Sequence, residues 1–228
     1  MKNKILLFII LFAFNNCTVE NDNINVSDCD KCKELIGDEV KIGNQIWMTK
    51  NLDVDLYRNG DTIRHCITTT EWQDASTKKE GAWCYYNNDS INNEIYGKLY
   101  NWYAVMDTRG LAPMGWHVPS DVEWEQLVNF LGGSSVAGGK LKETGFIYWK
   151  NPNTGATNEL CFNARAGGNC GPIFEFGNMG YFSDWWSTTI DSADIIWYRY
   201  LSHDSTTVSR ISRRADHGFS VRCVKDKF

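Results

Sequence analysis

Apolar and polar positions alternate in recognisable blocks after about residue 38, and the blocks predict distinct elements. Val40–Ile42 and Gln45–Met48 flank Gly43-Asn44, a two-residue turn of the kind that closes a β-hairpin. Leu99, Trp102, Tyr103 and Met106 recur at i, i+3, i+4 and i+7, which predicts a helix over 98–107. A further helix is announced by Ser120-x-x-Glu123, a capping box in which each side chain satisfies a first-turn amide. Its expected buried face is Val122, Leu127, Val128 and Leu131, and Gly132-Gly133 supplies the stop. A short helix is expected over 136–142.

Beyond Gly145 the spacing changes to strand type. Segments 184–189, 195–201, 207–212 and 218–225 carry β-type composition, and short polar turns between the last three suggest an antiparallel meander. Two or three helices ahead of a run of strands and long loops imply an α+β fold, not a doubly wound parallel sheet.

The first residues read differently. Lys2 and Lys4 precede an unbroken apolar run from Ile5 to Phe14, too short for the roughly 20 residues of a membrane span and suited to a signal peptide over 1–16. Cys17 follows directly, in the position of a lipid-modified cysteine, so the chain is expected to be exported and lipid-anchored at a bacterial outer membrane or cell surface. Residues 17–37 have the composition of a polar tether, and 38–228 form the expected domain.

Loss of 1–16 removes two lysines and no acid, so the net charge moves from −5 to −7. An acidic chain without a run of basic residues argues against nucleic acid as a partner, whose phosphates call for Lys and Arg. Eight cysteines in an exported protein point to disulfides. Cys161 with Cys170 is the leading pair, since the two flank a Gly-rich turn whose closure contributes roughly 2.5–3 kcal/mol. Cys66 with Cys84, and Cys29 with Cys32, are further candidates.

Chemistry is sparse. The four histidines show no metal-ligand spacing, and neither a nucleophile elbow nor a phosphate-binding glycine loop occurs. Glu123, Glu125, Glu143, Glu159, Glu175 and Asp184 are carboxylates without a sequence-level reason to pair. Asn87 to Glu94 is rich in oxygen ligands but lacks the mid-loop glycine of an EF-hand, so no cofactor is expected, with calcium as the open alternative. Ten tryptophans are the outlier. Core packing accounts for most of them, while Trp149, Trp185 and Trp186 lie near Asn151, Asn153, Asn158, Glu159 and Arg165 in sequence. Planar faces beside amide and guanidinium donors make these eight residues a candidate ligand face for a glycan.

The wording IGNQIWMTKNLDV (42–54), WCYYNND (83–89), YGKLYNWYAV (96–105), RGLAPMGWHVPSDVEW (109–124), GGKLKETG (138–145), NPNTGATNE (151–159), WWSTT (185–189) and GFSVRCV (218–224) resembles the Fibrobacter succinogenes major paralogous domain. The resemblance spans nearly all of 38–226 and implies an exported, lipid-anchored surface protein with no transferable catalytic residue. GWHVPSDVEWEQL and GFSVRCV are distantly similar to C-type-lectin-like folds and formylglycine-generating enzymes, which implies a C-type-lectin-like α+β fold. The family pattern has no cysteines where Cys161 and Cys170 stand, which favours their pairing. The expected role is binding or adhesion, with a glycan or surface protein as partner and the membrane reached through the anchor. The alternatives are a secreted enzyme, as a carboxylate-based hydrolase or a formylglycine-generating-like oxidase, and a passive surface coat.

Overall fold

The computed structural model describes Cys32 and residues 37–227. The signal peptide, the lipidation candidate Cys17, and Cys29 lie outside the described residues.

The hairpin forms as expected. Strand β1 (Glu39–Ile42) pairs with β2 (Gln45–Met48) in the register Ile42↔Gln45, with Gly43 at φ +61° in the turn. Strands β3 (Arg64–His65), β4 (Ala82–Cys84) and β5 (Leu99–Tyr100) make a small second sheet, with helix α1 (Thr69–Thr77) crossing between β3 and β4. The Thr68 side chain and the Glu71 carboxylate form a capping box at the start of α1.

The expected helix over 98–107 does not form. Gly97 ends a short helix α2 (Ile91–Tyr96), Leu99–Tyr100 runs as strand β5 against β4, and only α3 (Trp102–Val105) is helical. Asn101 decides this outcome. Its Oδ1 accepts from Ala104 N at 3.0 Å and Ala82 N at 2.9 Å, while its Nδ2 donates to Glu80 O at 2.8 Å. A side chain so engaged caps a helix instead of lying within one. Met106, assigned to the apolar face, is 45% exposed.

Strand β6 (Trp116–His117) leads to α4 (Asp121–Phe130), whose Ser120–Glu123 capping box is present. The inward stripe is Trp124, Leu127, Val128 and Leu131; Val122, expected inside, is 63% exposed. Helix α5 (Ser134–Leu141) follows after Gly133.

Strands β7 (Gly167–Cys170), β8 (Phe176–Met179), β9 (Phe182–Ser192), β10 (Ile195–Ser202) and β11 (Val208–Arg214) form a five-stranded sheet of order β11-β10-β9-β7-β8. All pairings are antiparallel except β7 with β9. The fourth expected strand of the meander goes elsewhere. Strand β12 (Val224–Lys225) sits between β2 and β6, so both ends of the domain share one sheet of order β1-β2-β12-β6. The architecture is α+β, with few helices and mainly antiparallel sheets.

Aromatic side chains fill the interior between these layers. Trp47, Trp124, Phe162 and Trp185 pack as one cluster, with ring centroids 4.8 Å apart for Trp47–Trp124 and 5.9 Å for Trp124–Trp185. Indoles at this depth each bury on the order of 200 Å² and need an acceptor for the ring N–H. Arg199 of β10, also buried, meets Asp121 at the head of α4 at 2.5 Å and thereby joins helix to sheet.

The disulfide is Cys32–Cys161, with a sequence separation of 129, and not Cys161–Cys170. Local spacing favoured the short loop, but Cys170 points into a separate apolar cluster with Cys66, Cys84, Trp72 and Leu99. Cys66, Cys84, Cys170 and Cys223 are free and buried, so neither the Cys66–Cys84 nor the Cys29–Cys32 pairing occurs. Burial pushes the Cys66 thiol up to about 11 and that of Cys223 up to about 12, which suppresses the reactive thiolate. The Cys161→Ser variant should therefore lose about 3–5 kcal/mol in urea unfolding, as expected for opening so long a loop. Peptide mapping of the native protein should recover the 32–161 link, and Cys66, Cys84, Cys170 and Cys223 should alkylate only after denaturation. Rapid native alkylation at any of those four would refute this assignment.

Candidate functional site

The predicted aromatic face is not a surface. Trp149, Trp185 and Trp186 are 1%, 1% and 0% exposed. Their ring N–H groups donate to Ala164 O at 2.8 Å, Asn51 Oδ1 at 2.8 Å and Tyr100 O at 2.7 Å. Each indole is a core residue with its polar edge satisfied, which leaves nothing to stack on a ligand. The polar members of the set also scatter. Asn151 is exposed, and its carbonyl meets His203 Nδ1. Asn153 turns inward to Glu143 O and Gly145 O, and Glu159 pairs with Lys140 at 3.2 Å.

Arg165 does line a concave feature, and Asn158 braces its neighbour Asn163 there. A cleft of about 210 Å³ opens beside the disulfide, lined by Cys32, Asp38, Thr49, Lys50, Asn51, Ile95, Asn163, Arg165 and Arg222 among others. Its polar lining comes mainly from the stretch after β2, the turn 158–165 and the approach to β12, with Cys32 and Asp38 added ahead of β1 and Ile95 from α2. The turn is held by a side-chain clamp. Asn158 Nδ2 donates to Asn163 Oδ1 at 2.7 Å, and Asn163 N donates to Asn158 Oδ1 at 2.9 Å. Asn158, Cys161 and Asn163 all adopt positive φ, a conformation in which Asn is less penalised than most residues.

Arg222 forms the floor. Its Nε and Nη2 donate to Asn51 Oδ1 at 2.9 and 2.8 Å, and Nη1 donates to Met48 O at 3.1 Å and Phe162 O at 2.6 Å. The guanidinium lies over the Phe162 ring at 4.5 Å. It is buried and has no carboxylate partner among the described residues. Burial, followed by repulsion from Arg165, pulls its pKa down to about 9. On the wall, Arg165 meets Glu143 at 2.6 Å and stacks over Tyr148 at 4.1 Å, while Lys50 meets Asp38 at 2.9 Å. Sequence reasoning missed Lys50, Asn51, Asn163 and Arg222. Lys50, Asn51 and Arg222 sit in the wording quoted for the family resemblance, while Asn163 lies beyond it and had no such signal.

The candidate carboxylates do not converge. Glu123 caps α4 and contacts His117 at 2.8 Å, Glu143 holds Arg165, and Glu175 accepts from Ile173 N. Glu125 is exposed, 3.8 Å from Arg199. Asp184 is buried, with Asn169 Nδ2 at 2.9 Å as its side-chain partner, and burial raises its pKa to about 7. Such a group is a single closed-in acid without a second carboxylate beside it. His117 lies between Asp226 at 2.6 Å and Glu123 at 2.8 Å. Burial opposes its charge, but the two carboxylate hydrogen bonds outweigh it, so the pKa is raised.

In the stretch considered for calcium, Asp89 Oδ1 accepts from Ile91 N and Asn92 Nδ2 donates to Tyr86 O, so these groups serve the local turn. No group of three or more His, Cys, Asp or Glu placed to hold a metal ion occurs among the described residues. A second, more open groove is lined by Lys79, Trp102, Tyr103, Met106, Asp107 and Thr108.

Fold and cleft together define an α+β domain with a small, cation-floored recess walled by loops. Residues 40–225 match the Fibrobacter succinogenes major domain (Fib_succ_major), and the chain belongs to that family. Membership points to a surface-associated protein and assigns no activity. No curated protein and no solved structure matches the chain. No helix among the described residues is long and apolar enough to cross a membrane.

Asp184 generates a pH prediction. A carboxyl whose folded pKa is raised disfavours the ionised form, so its cost to stability is absent below the ordinary carboxylate range and grows as pH rises toward about 7. Asp184→Asn should therefore stabilise the protein by ~1–3 kcal/mol at pH 8 and change it little at pH 4. An equal effect at both pH values, read from urea midpoints, would show that ionisation is not the cause.

Proposed function

We propose that this protein is a lipid-anchored binding module of the bacterial cell surface, taking a glycan or surface-protein ligand at the cleft beside the Cys32–Cys161 disulfide. One observation carries the reading: amide and guanidinium donors from three distant chain segments converge on one ligand-sized recess, while the six carboxylates weighed for hydrolysis each hold a different partner. Carboxylate-based glycoside hydrolysis needs two carboxyls facing each other. A pre-formed recess with a few oriented polar groups is what recognition needs. The C-type-lectin-like comparison belongs to this proposal as well, supported by β1, β2 and β12 sharing one sheet and by the long loops between α5 and β7.

An array of glycans and host or bacterial surface proteins, probed with the exported chain including Cys32, tests the site. Retention of a ligand should come with slowed hydrogen exchange at 49–51 and 161–165. Protection confined to another face would move the site, and no retention at all would remove the binding reading.

The anchor is supported by the position of Cys17 directly after the apolar run, and it has its own test. In the native host, radioactive palmitate should label the wild-type protein, and label retained by Cys17→Ala would disprove attachment there.

A further inference from the structure

We propose that the cleft is an anion subsite, built to receive the carboxylate or sulfate of an acidic sugar, with Arg222 as its buried cation. The inference rests on the binding role proposed above and names the ligand class.

A guanidinium has five N–H groups. Arg222 directs two from Nη1 to backbone carbonyls and one each from Nε and Nη2 to Asn51 Oδ1. The second Nη2–H has no acceptor among the described residues, on a side chain that is 1% exposed and lines the cleft. Asn163 is similar. Its Oδ1 and backbone N are held by Asn158, and its Nδ2 donates to no described group. Arg222 and Asn163 thus leave unused donors in the recess, and an oxyanion is the acceptor-rich partner that fits them.

Charge agrees. Among the described residues, Lys50, Arg165 and Arg222 line the cleft against a single acid, Asp38, in a protein whose net charge is −5. Glu143, behind Arg165, neutralises that wall, and Asp38 faces Lys50, so the uncompensated cation is Arg222. A buried ion without a counter-ion is costly. Carbonyl dipoles and Asn51 reduce that cost, and a bound anion would supply the missing charge at short range. Size decides the carrier. About 210 Å³ is below the roughly 300–1,000 Å³ of sites for drug-sized ligands, so the recess takes one acidic ring and not a folded peptide segment. Ile95 gives that ring an apolar edge.

Thermal unfolding of the exported chain, in buffers of matched ionic strength, reads the outcome with three sugar probes: oligogalacturonate, its methyl ester, and a sulfated galactan. A glutamate-rich peptide serves as a fourth probe. Oligogalacturonate, sulfated galactan or both should raise Tm saturably, and the two arms distinguish carboxylate from sulfate. The methyl ester should have no effect. Asn163→Asp, which keeps the clamp to Asn158 but sets a negative charge on the rim, should weaken binding at least tenfold. Arg222→Gln tests the floor directly, and because it can unfold the domain, Asn163→Asp and Lys50→Glu carry the decision.

Equal stabilisation by the methyl ester overturns the anion claim and leaves the cleft as a neutral-sugar site. Stabilisation by the peptide alone overturns the sugar assignment. Binding unchanged in both Asn163→Asp and Lys50→Glu overturns the location. An array ligand that protects 49–51 and 161–165 while no anionic probe shifts Tm sinks this inference and leaves the proposed function standing.

Discussion

The guanidinium of Arg222 is the contact on which the rest of the interior converges. It bonds the end of β2 through Met48 O, the following stretch through Asn51 and the 158–165 turn through Phe162 O. Asn51 Oδ1 also accepts from Trp185, and Asn51 Nδ2 donates to Tyr96 O, so one amide ties the large sheet, the cation and α2 together. A charge so enclosed depends on these partners for most of its hydrogen bonds, so displacing any one of them is costly.

Three of the buried cations show three solutions to the same problem. Arg199 has a carboxylate, Asp121, at the N-terminus of α4. Lys142 has carbonyls only, Ser202 O at 2.9 Å and Ser205 O at 2.8 Å, and burial lowers its pKa to about 8. Arg222 has carbonyls and an amide, and retains one donor free beside open space. The first two hold partners within the protein and line neither the cleft nor the open groove. The third alone faces a recess, which is why the functional reading settles there and not on the tryptophans.

Local signals were legible where the physics is local. Gly43-Asn44 closes its hairpin, and Ser120 with Glu123 starts α4, because both depend on atoms a few residues apart. The same capping pattern at Thr68 and Glu71 starts α1. It passed unread because only Trp72 and Ala75 of that helix face inward, too few to show a periodic stripe. The aromatic period over 98–107 misled in the opposite way: its residues are apolar at helical spacing, yet Asn101 finds three backbone partners and interrupts the run.

By itself the sequence determined the α+β class, the family, the hairpin, the capped helix and the acidic, cysteine-bearing composition of the chain, since all of these are carried by composition, short spacings and recognisable wording. Tertiary structure alone decided that Cys161 reaches Cys32 across 129 residues instead of the nearby Cys170, and that Trp149, Trp185 and Trp186 are interior. It also decided that Arg222, in GFSVRCV, is enclosed together with its neighbours Val221 and Cys223. Periodicity reports which face of an element a residue occupies. Whether that face meets water or another layer is set by long-range packing, which no local pattern encodes.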